Sequence, residues 1–586
     1  MTAEYRRLLT YLLLITAIIL AAGLGLRDPW PADEPRFALI ARDMVESGNW
    51  LIPQVGGVLY PDKPPLFFWL VAALYALTGS LRLAFLVPGV LAGLGTVLLV
   101  TDLARRLWGP QTAIWCGATL LAIVQFPLQM KSGQIDALLC FWTTLGIYGF
   151  SRHLLRGPDW RWYVMGGFAA GLGIITKGVG ILPYLIFVPY AFAVAQRWTV
   201  FRHSWRDWRW VAAPAATLFA VTLWLGPMLL VTSGGGDPEL IAYRDNILFH
   251  QTVTRYADSW GHIKPVWYLF TNAAPWLWIP VTIVLPWLVP AWWRDLKSKN
   301  AAVLLLLGWV LLVLLFFSLS DGKRSLYIFP AAPALALIAG FHARALLDRI
   351  DVQRVMVTFL AVFSVALGSV AMYVLMHPHQ IESSIPDHLV TLKAGLSLLA
   401  IGLLMTATVL FCRCRRILVG FASAMVIFWV GMSMLVAPSL DATRSGRGLV
   451  SKIESQVGPE IAMGFVGWPE QFLLQWDRPV VHFGYRRNDQ EAETIDAARW
   501  LLASPDRRIL LPEKLLQPCF EPNSAVAIGR AHRRNWMIAD RESLSGACAD
   551  QTSKPPDLVV SYSRPEFRQS TGELRTALRH AVAGPD

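Results

Sequence analysis

The chain is poor in charge. Of its 586 residues, 16% are Asp, Glu, Lys or Arg, against about 25% in an ordinary soluble protein. The deficit is concentrated in runs such as LLTYLLLITAIILAAGLGL, AAVLLLLGWVLLVLLFFSL and VTFLAVFSVALGSVAMYVL. Each is uncharged for about 19 residues, and about 20 helical residues at 1.5 Å rise cross a hydrocarbon core. A soluble fold is therefore excluded. Tandem repeats, a Gly-rich phosphate loop ahead of a helix and an HExxH segment are also missing, so a solenoid, a P-loop NTPase and a zincin hydrolase are not indicated. Only six cysteines occur. Cys412 and Cys414 lie in the basic FCRCRR with no His or Cys nearby to complete a zinc set.

What is present is basic. The formal charge is +12, which on a soluble chain would suggest a nucleic-acid partner. Here the cations fall in short clusters between apolar runs, at Arg105-Arg106, Arg152 to Arg161, Arg197 to Arg209, Arg294 to Lys299, Arg344 to Arg354 and Arg413 to Arg416. Lys and Arg mark cytoplasmic loops, so no nucleic-acid partner is expected. The first run follows Tyr5-Arg6-Arg7 and is read as an uncleaved signal anchor. About thirteen spans, this first one included, lie between residues 8 and 437. An odd count puts the N-terminus in the cytoplasm and the tail outside. The expected architecture is a mainly α polytopic membrane unit over 1–440, with outer loops at 27–81 and 233–274, and a small periplasmic α/β domain over 441–586. In the first loop, FALIARDMVESGNWL predicts an amphipathic helix on the membrane surface, and PPLFFWLVAALYALTG a short re-entrant or interfacial segment. In the tail, AMGFVGW, RPVVHFGY, RRILLP and DLVVSYS predict strands and EAETIDAARWLLA a helix. An oxidising compartment would permit Cys519 and Cys548 to pair.

This topology gathers polar residues at the outer span ends. Loop one supplies Asp33, Glu34, Arg36, Tyr60, Asp62 and Lys63. Later turns add Lys131, Asp136 and Lys177, then Arg255, Tyr256, His262 and Lys264, and finally Asp321, Lys323, Arg324 and Tyr327. Each has a plain structural alternative: Asp33 as a helix cap, Asp62-Lys63 as a solvated turn, Asp136 as a solvated span end, Lys177 as a snorkelling side chain. Their convergence on one face argues for function, because charge at a membrane boundary is costly. Fixed cations suit a phosphate leaving group, carboxylates suit a proton or an amine, and apolar walls suit a lipid tail. The set implies chemistry on a lipid-linked phosphate. A lipid-linked-sugar transporter is the competing class, but transporters place charge mid-span in duplicated halves.

The pattern resembles the GT-C membrane glycosyltransferases of the protein O-mannosyltransferase clan, and within it the bacterial aminoarabinose (4-amino-4-deoxy-L-arabinose) lipid A transferases. The resemblance rests on ADEPRFALIARDMVESGNWLIPQVGGVLYPDKPPLFFW, MKSGQIDALLCFWTTL, GLGIITKGVGILP, GHIKPVWYL and SLSDGKRSLYIFPAAPALALIAG, in that order. It implies an inverting transfer of the sugar from undecaprenyl phosphate to a lipid A phosphate on the periplasmic face of the inner membrane, by a monomer, giving resistance to polymyxin and cationic peptides. A protein or glycan hydroxyl is the alternative acceptor. By the same resemblance Asp33, Asp136 and Arg36 are catalytic; Tyr60, Lys63 and Tyr327 bind donor phosphate or substrate; and Asp62 and His262 hold a divalent metal, zinc or magnesium. From their place on the outer face, Lys131, Arg255 and Lys264 are read as further cations for donor phosphate or substrate. Asp33 is either a general base or a positioning group. Two positions depart from the family pattern: Asp62 stands where Glu is usual, and loop two reads GHIKP.

Overall fold

The computed structural model describes residues 3–199, 206–234, 236–249, 263–378, 387–412, 414–485, 487, 489–546, 548 and 555–563. The chain is a mainly helical, polytopic membrane protein with a C-terminal mixed β region. Among the described residues, seven helices are long and apolar enough to cross a membrane, from Leu81–Trp108 to Ile417–Gln456. The 19-residue α1 (Ala3–Ala21), with three charges near its start, is not among the seven, and two shorter apolar helices are Leu66–Thr78 and Val179–Ala195.

Small residues set the spacing where the site is built. The helix Trp160–Lys177 carries GGFAAGLG and meets the helix Ala212–Gly234 there. A Cβ on Gly167 would lie 2.2 Å from the Ala213 carbonyl oxygen, and Thr217 Oγ1 donates to the Gly167 oxygen at 2.7 Å. On the other side, a Cβ on Gly149 would lie 2.3 Å from the Trp162 oxygen. Backbones approach this closely only where side chains are absent. The contact seats Trp160–Lys177 against the helix Ile135–Ser151 and brings their outer ends together.

Loop one folds into α2 (Glu34–Ser47), a hairpin of β1 (Gln54–Val55) and β2 (Val58–Leu59), and α3 (Leu66–Thr78). The sequence put α2 on the membrane surface as an amphipathic helix. In the structure every residue from Glu34 to Met44 is buried. The cover on the polar side is the C-terminal region. Arg42 donates to the Leu474 oxygen at 2.9 Å, the Leu473 oxygen at 3.1 Å and Tyr562 Oη at 3.0 Å. The Tyr562 hydroxyl in turn donates to Asp43 at 2.6 Å. A polar stripe reads as solvated in a sequence; here it is the face that docks another unit.

That unit is a six-stranded mixed sheet of β3 (Ala462–Phe465), β4 (Val480–His482), β5 (Arg507–Pro512), β6 (Val526–Ala531), β7 (Arg534–Ala539) and β8 (Val560–Tyr562), in the order β6-β7-β5-β3-β4-β8. β3 runs parallel to β4 and β5, and the outer pairs are antiparallel. All four expected strands and the helix Gln490–Leu502 are present. Cys519 and Cys548 form a disulfide, and closing a loop of that length contributes roughly 3–4 kcal/mol in the chain-entropy account. The sheet holds loop one at a second point, where His482 Nε2 donates to the Gly56 oxygen at 2.7 Å.

Candidate active site

Asp33 and Glu34 are neighbours with different surroundings. Asp33 occupies the N-cap position of α2, yet its side chain makes no capping bond. The carboxylate instead faces two guanidinium groups. Oδ1 lies 3.4 Å from Arg36 Nη1, and Oδ2 lies 3.3 Å from Arg324 Nη2. These contacts are long for charge-assisted hydrogen bonds, so both oxygens keep room for another partner. Burial pushes this carboxyl up, but Arg324, Arg36 and Lys177 outweigh it and hold Asp33 below the ordinary carboxylate range. Asp33 is an anion at any pH near neutrality.

Glu34 has no spare capacity. Its Oε2 accepts from Arg27 Nη1 at 2.5 Å and from the Trp30 amide at 2.8 Å. Its Oε1 accepts from Arg27 Nη2 at 2.9 Å and from the Gly133 amide at 2.8 Å. Glu34 therefore ties the start of loop one to the turn ahead of the helix Ile135–Ser151.

A second ion pair stands beside the first. Asp136, buried in the first turn of Ile135–Ser151, pairs with Lys177 at the end of Trp160–Lys177. The Lys177 ammonium also lies 5.2 Å from the centre of the Tyr327 ring, a cation–π distance. Tyr327 and Arg324 flank the same turn. There Lys323 donates to the Lys264 oxygen at 2.8 Å, and the Lys264 amide donates to the Asp321 oxygen at 3.2 Å. Asp33, Arg36, Asp136, Lys177, Arg324 and Tyr327 thus come together from four separate stretches of chain. Lys264 adjoins them through its backbone, with its ammonium 5.9 Å from the Tyr268 ring.

The remaining expected residues are placed as follows. Tyr60 is 1% exposed and packs on Phe68 and Tyr485, with ring centres 5.9 and 5.8 Å apart. Asp62 accepts from Tyr485 Oη at 3.0 Å, and half-buried Lys63 follows it. Lys131 donates to the carbonyls of Ile19, Leu20 and Ala22 at 2.7, 3.2 and 2.7 Å. An ammonium has three protons, so Lys131 is committed to the unsatisfied end of α1 rather than to a phosphate. Arg255 and His262 lie outside the described residues. Among the described residues no three His, Cys, Asp or Glu side chains gather in a way that could hold a metal.

Sequence reasoning placed Lys177 and Arg324 on the right face but gave them no role. It missed Glu470 and Tyr485 altogether. Glu470 Oε1 accepts from Arg36 Nη2 at 2.5 Å, with both side chains about nine-tenths buried. Glu470 opens a short helix behind GWP in the tail, and nothing in that local pattern signals contact with a loop 434 residues away. Around this pair lies a polar cavity of about 370 Å³ between loop one and the sheet.

Residues 62–224 match the family model for dolichyl-phosphate-mannose-protein mannosyltransferases. An undecaprenyl phosphate-α-4-amino-4-deoxy-L-arabinose arabinosyl transferase of Sodalis glossinidius is 30% identical over 57% of this chain and 59% of its own length. One from Pseudomonas fluorescens is 28% identical over 65% and 68%. The chain thus spans about three fifths of the first of these relatives. The crystal structure of ArnT from Cupriavidus metallidurans bound to undecaprenyl phosphate superposes with a TM-score of 0.67 at 20% identity, covering 92% of this chain and 98% of that one. Its apo form gives 0.68. The chain has the fold of these GT-C membrane glycosyltransferases and is related to them in sequence.

Proposed function

We propose that this protein is an inverting glycosyltransferase that moves 4-amino-4-deoxy-L-arabinose from undecaprenyl phosphate to a lipid A phosphate at the periplasmic face of the inner membrane. The observation that carries this reading is the placement of Asp33 between Arg36 and Arg324, beside the Asp136–Lys177 pair, at the outer helix ends of a GT-C fold. The relatives' names supply the sugar and its lipid carrier. The thirteen-span topology belongs to the same proposal. Residues 1–440 form the membrane catalytic unit and 441–586 the periplasmic unit. Modification of lipid A phosphates would lower affinity for polymyxin and cationic peptides.

The chemistry follows from the charges. The bond from the anomeric carbon to the donor phosphate oxygen breaks, and a bond from that carbon to an acceptor phosphate oxygen forms on the opposite face. Positive charge gathers on the sugar ring as this happens, and negative charge on the departing undecaprenyl phosphate. Asp33 stabilises the sugar side, including its ammonium group. Arg324, Lys177 and Lys63 are the cations assigned to the phosphate side, and their attraction grows as the bond breaks. Every step here uses the chain's own side chains. Asp62 accepts from Tyr485 and the other candidate ligand, His262, lies outside the described residues, so no step is routed through a metal.

Lipid A from a strain lacking the gene is expected to lose the aminoarabinose increment in mass spectra, and restoring the gene is expected to return it. Unchanged lipid A would reject the assignment. The pH profile gives a second test. A phosphate acceptor loses its second proton near pH 6, while Asp33 is held below the usual carboxylate range. The acid limb of kcat/KM is therefore expected at about pH 6 for a phosphomonoester acceptor, with Asp33 ionised throughout. A limb below the ordinary carboxylate range would assign the titration to Asp33 as a carboxylate base and so favour a hydroxyl acceptor.

A further inference from the structure

The cavity between loop one and the sheet lacks a role in the transfer step. Its volume of about 370 Å³ is in the range of small-molecule sites. Arg36 and Glu470 form one wall; Arg487, Glu493, Lys514 and Arg534 line others. Arg36 is matched by Glu470, and Arg487 is matched by Asp496 at 2.6 Å. Two cations are left over. Among the described residues Arg534 has no ion pair, and its Nη1 donates to the Gly467 carbonyl at 3.5 Å. Lys514 has no ion pair among the described residues, and its neighbour Glu513 accepts from Asn535 at 2.7 Å. Glu493 does not balance them, because burial raises its carboxyl to about 7.

Two buried donors point to the same need. Arg36 Nε and Trp468 Nε1 have no hydrogen-bond partner among the described residues, and both residues line this cavity. Both are at least nine-tenths buried. Orphaned buried N–H groups are rare and costly. A cavity with spare cations and spare N–H donors fits a ligand rich in acceptor oxygens and negative charge.

We propose that this cavity is a second anion subsite that holds an acidic sugar or sugar phosphate of the acceptor headgroup, apart from the phosphate that reacts. This rests on the transferase reading above. The site would lie against Arg36, one residue contact from Asp33, so a seated headgroup would also fix the acceptor's approach. Binding energy taken from a remote part of a substrate is available to orient the reacting part.

The test uses the full chain with Lys514→Gln and Arg534→Gln combined. Both positions are exposed, and neither touches the reacting groups. Two acceptors are compared: complete lipid A bearing acidic inner-core sugars, and a minimal monophosphorylated lipid A. The double variant is expected to lower kcat/KM about tenfold for the complete acceptor and to leave the minimal acceptor unaffected. An equal shift for both acceptors, or none, would overturn the subsite. Direct binding separates this from failure of the transferase reading. Glucosamine 6-phosphate is expected to bind wild type more tightly than inorganic phosphate, and to lose that advantage in the double variant and in Trp468→Phe. If wild type transfers nothing but binds in this way, the transferase reading falls and the anion site stands. Equal binding by wild type and double variant removes the site.

Discussion

Asp33→Asn is expected to reduce kcat/KM for transfer by about 10³-fold, within the range for removing a carboxylate that acts in the transition state. The substitution keeps the shape of the side chain and removes its charge. What it leaves behind is two guanidinium groups, Arg36 and Arg324, facing a neutral amide. Arg36 keeps Glu470 as a partner, so the fold is expected to persist, with an unchanged melting temperature in detergent. The loss should appear in kcat more than in the KM for donor, because the carboxylate opposes positive charge that develops only as the glycosidic bond breaks. Single-turnover release of undecaprenyl phosphate from labelled donor reads this directly. A variant within a few-fold of wild type would remove Asp33 from the mechanism and leave Asp136 as the candidate. Asp33→Glu is expected to recover part of the rate, since it restores the charge but moves it by one methylene.

The adjacent residue is expected to behave in the opposite way. Glu34→Ala should destabilise the protein by about 3–5 kcal/mol, the cost of removing one member of a buried, hydrogen-bonded ion pair. Glu34 is 6% exposed, and four donors converge on it: two from Arg27, and the amides of Trp30 and Gly133. Truncation strands the two amides and leaves the Arg27 guanidinium only the carbonyls of Asp28 and Lys131, at 3.1 and 3.3 Å. The Arg27 charge stays buried beside Trp30 and Phe85, 4.9 and 5.1 Å from their ring centres. The measurement is the melting temperature of purified protein in detergent, and a large drop is expected. Glu34→Gln should fall between, because an amide oxygen still accepts from the backbone while its nitrogen meets Arg27 as a second donor. A Glu34→Ala protein as stable as wild type but inactive would exchange the roles given to these two residues.

Both residues were visible in the sequence as one acidic pair, and no local pattern separates them. The difference lies in what each meets. Glu34 meets amides and an arginine within seven residues and at the turn before Ile135, whereas Asp33 meets Arg324 from 291 residues along the chain. Apolar runs long enough to cross a bilayer were legible because length and composition alone decide them. The tail strands were legible because β-rich runs are punctuated by turn residues. The surroundings of α2 were not. Its amphipathic pattern says that one face is polar, but not whether water or a protein surface covers that face. Lys131 misled for a related reason. A lysine at a span boundary looks like a free cation, and only the coordinates show its three protons used by the carbonyls of α1. Glu470 and Tyr485 were illegible because their partners are 434 and 423 residues away, with no motif linking the two ends.

The Arg36–Glu470 bond also has a consequence for the order of synthesis. The segment bearing Asp33 and Arg36 leaves the ribosome early, whereas Glu470 follows 434 residues later. At 5–20 residues per second that is a wait of roughly 20–90 s. During that interval α2 has neither Glu470 beside Arg36 nor the carbonyls of Leu473 and Leu474 beside Arg42. The reactive loop takes its final form only after the tail has crossed the membrane and folded. A nascent or truncated chain threaded into the bilayer would hold every span and still lack a finished site.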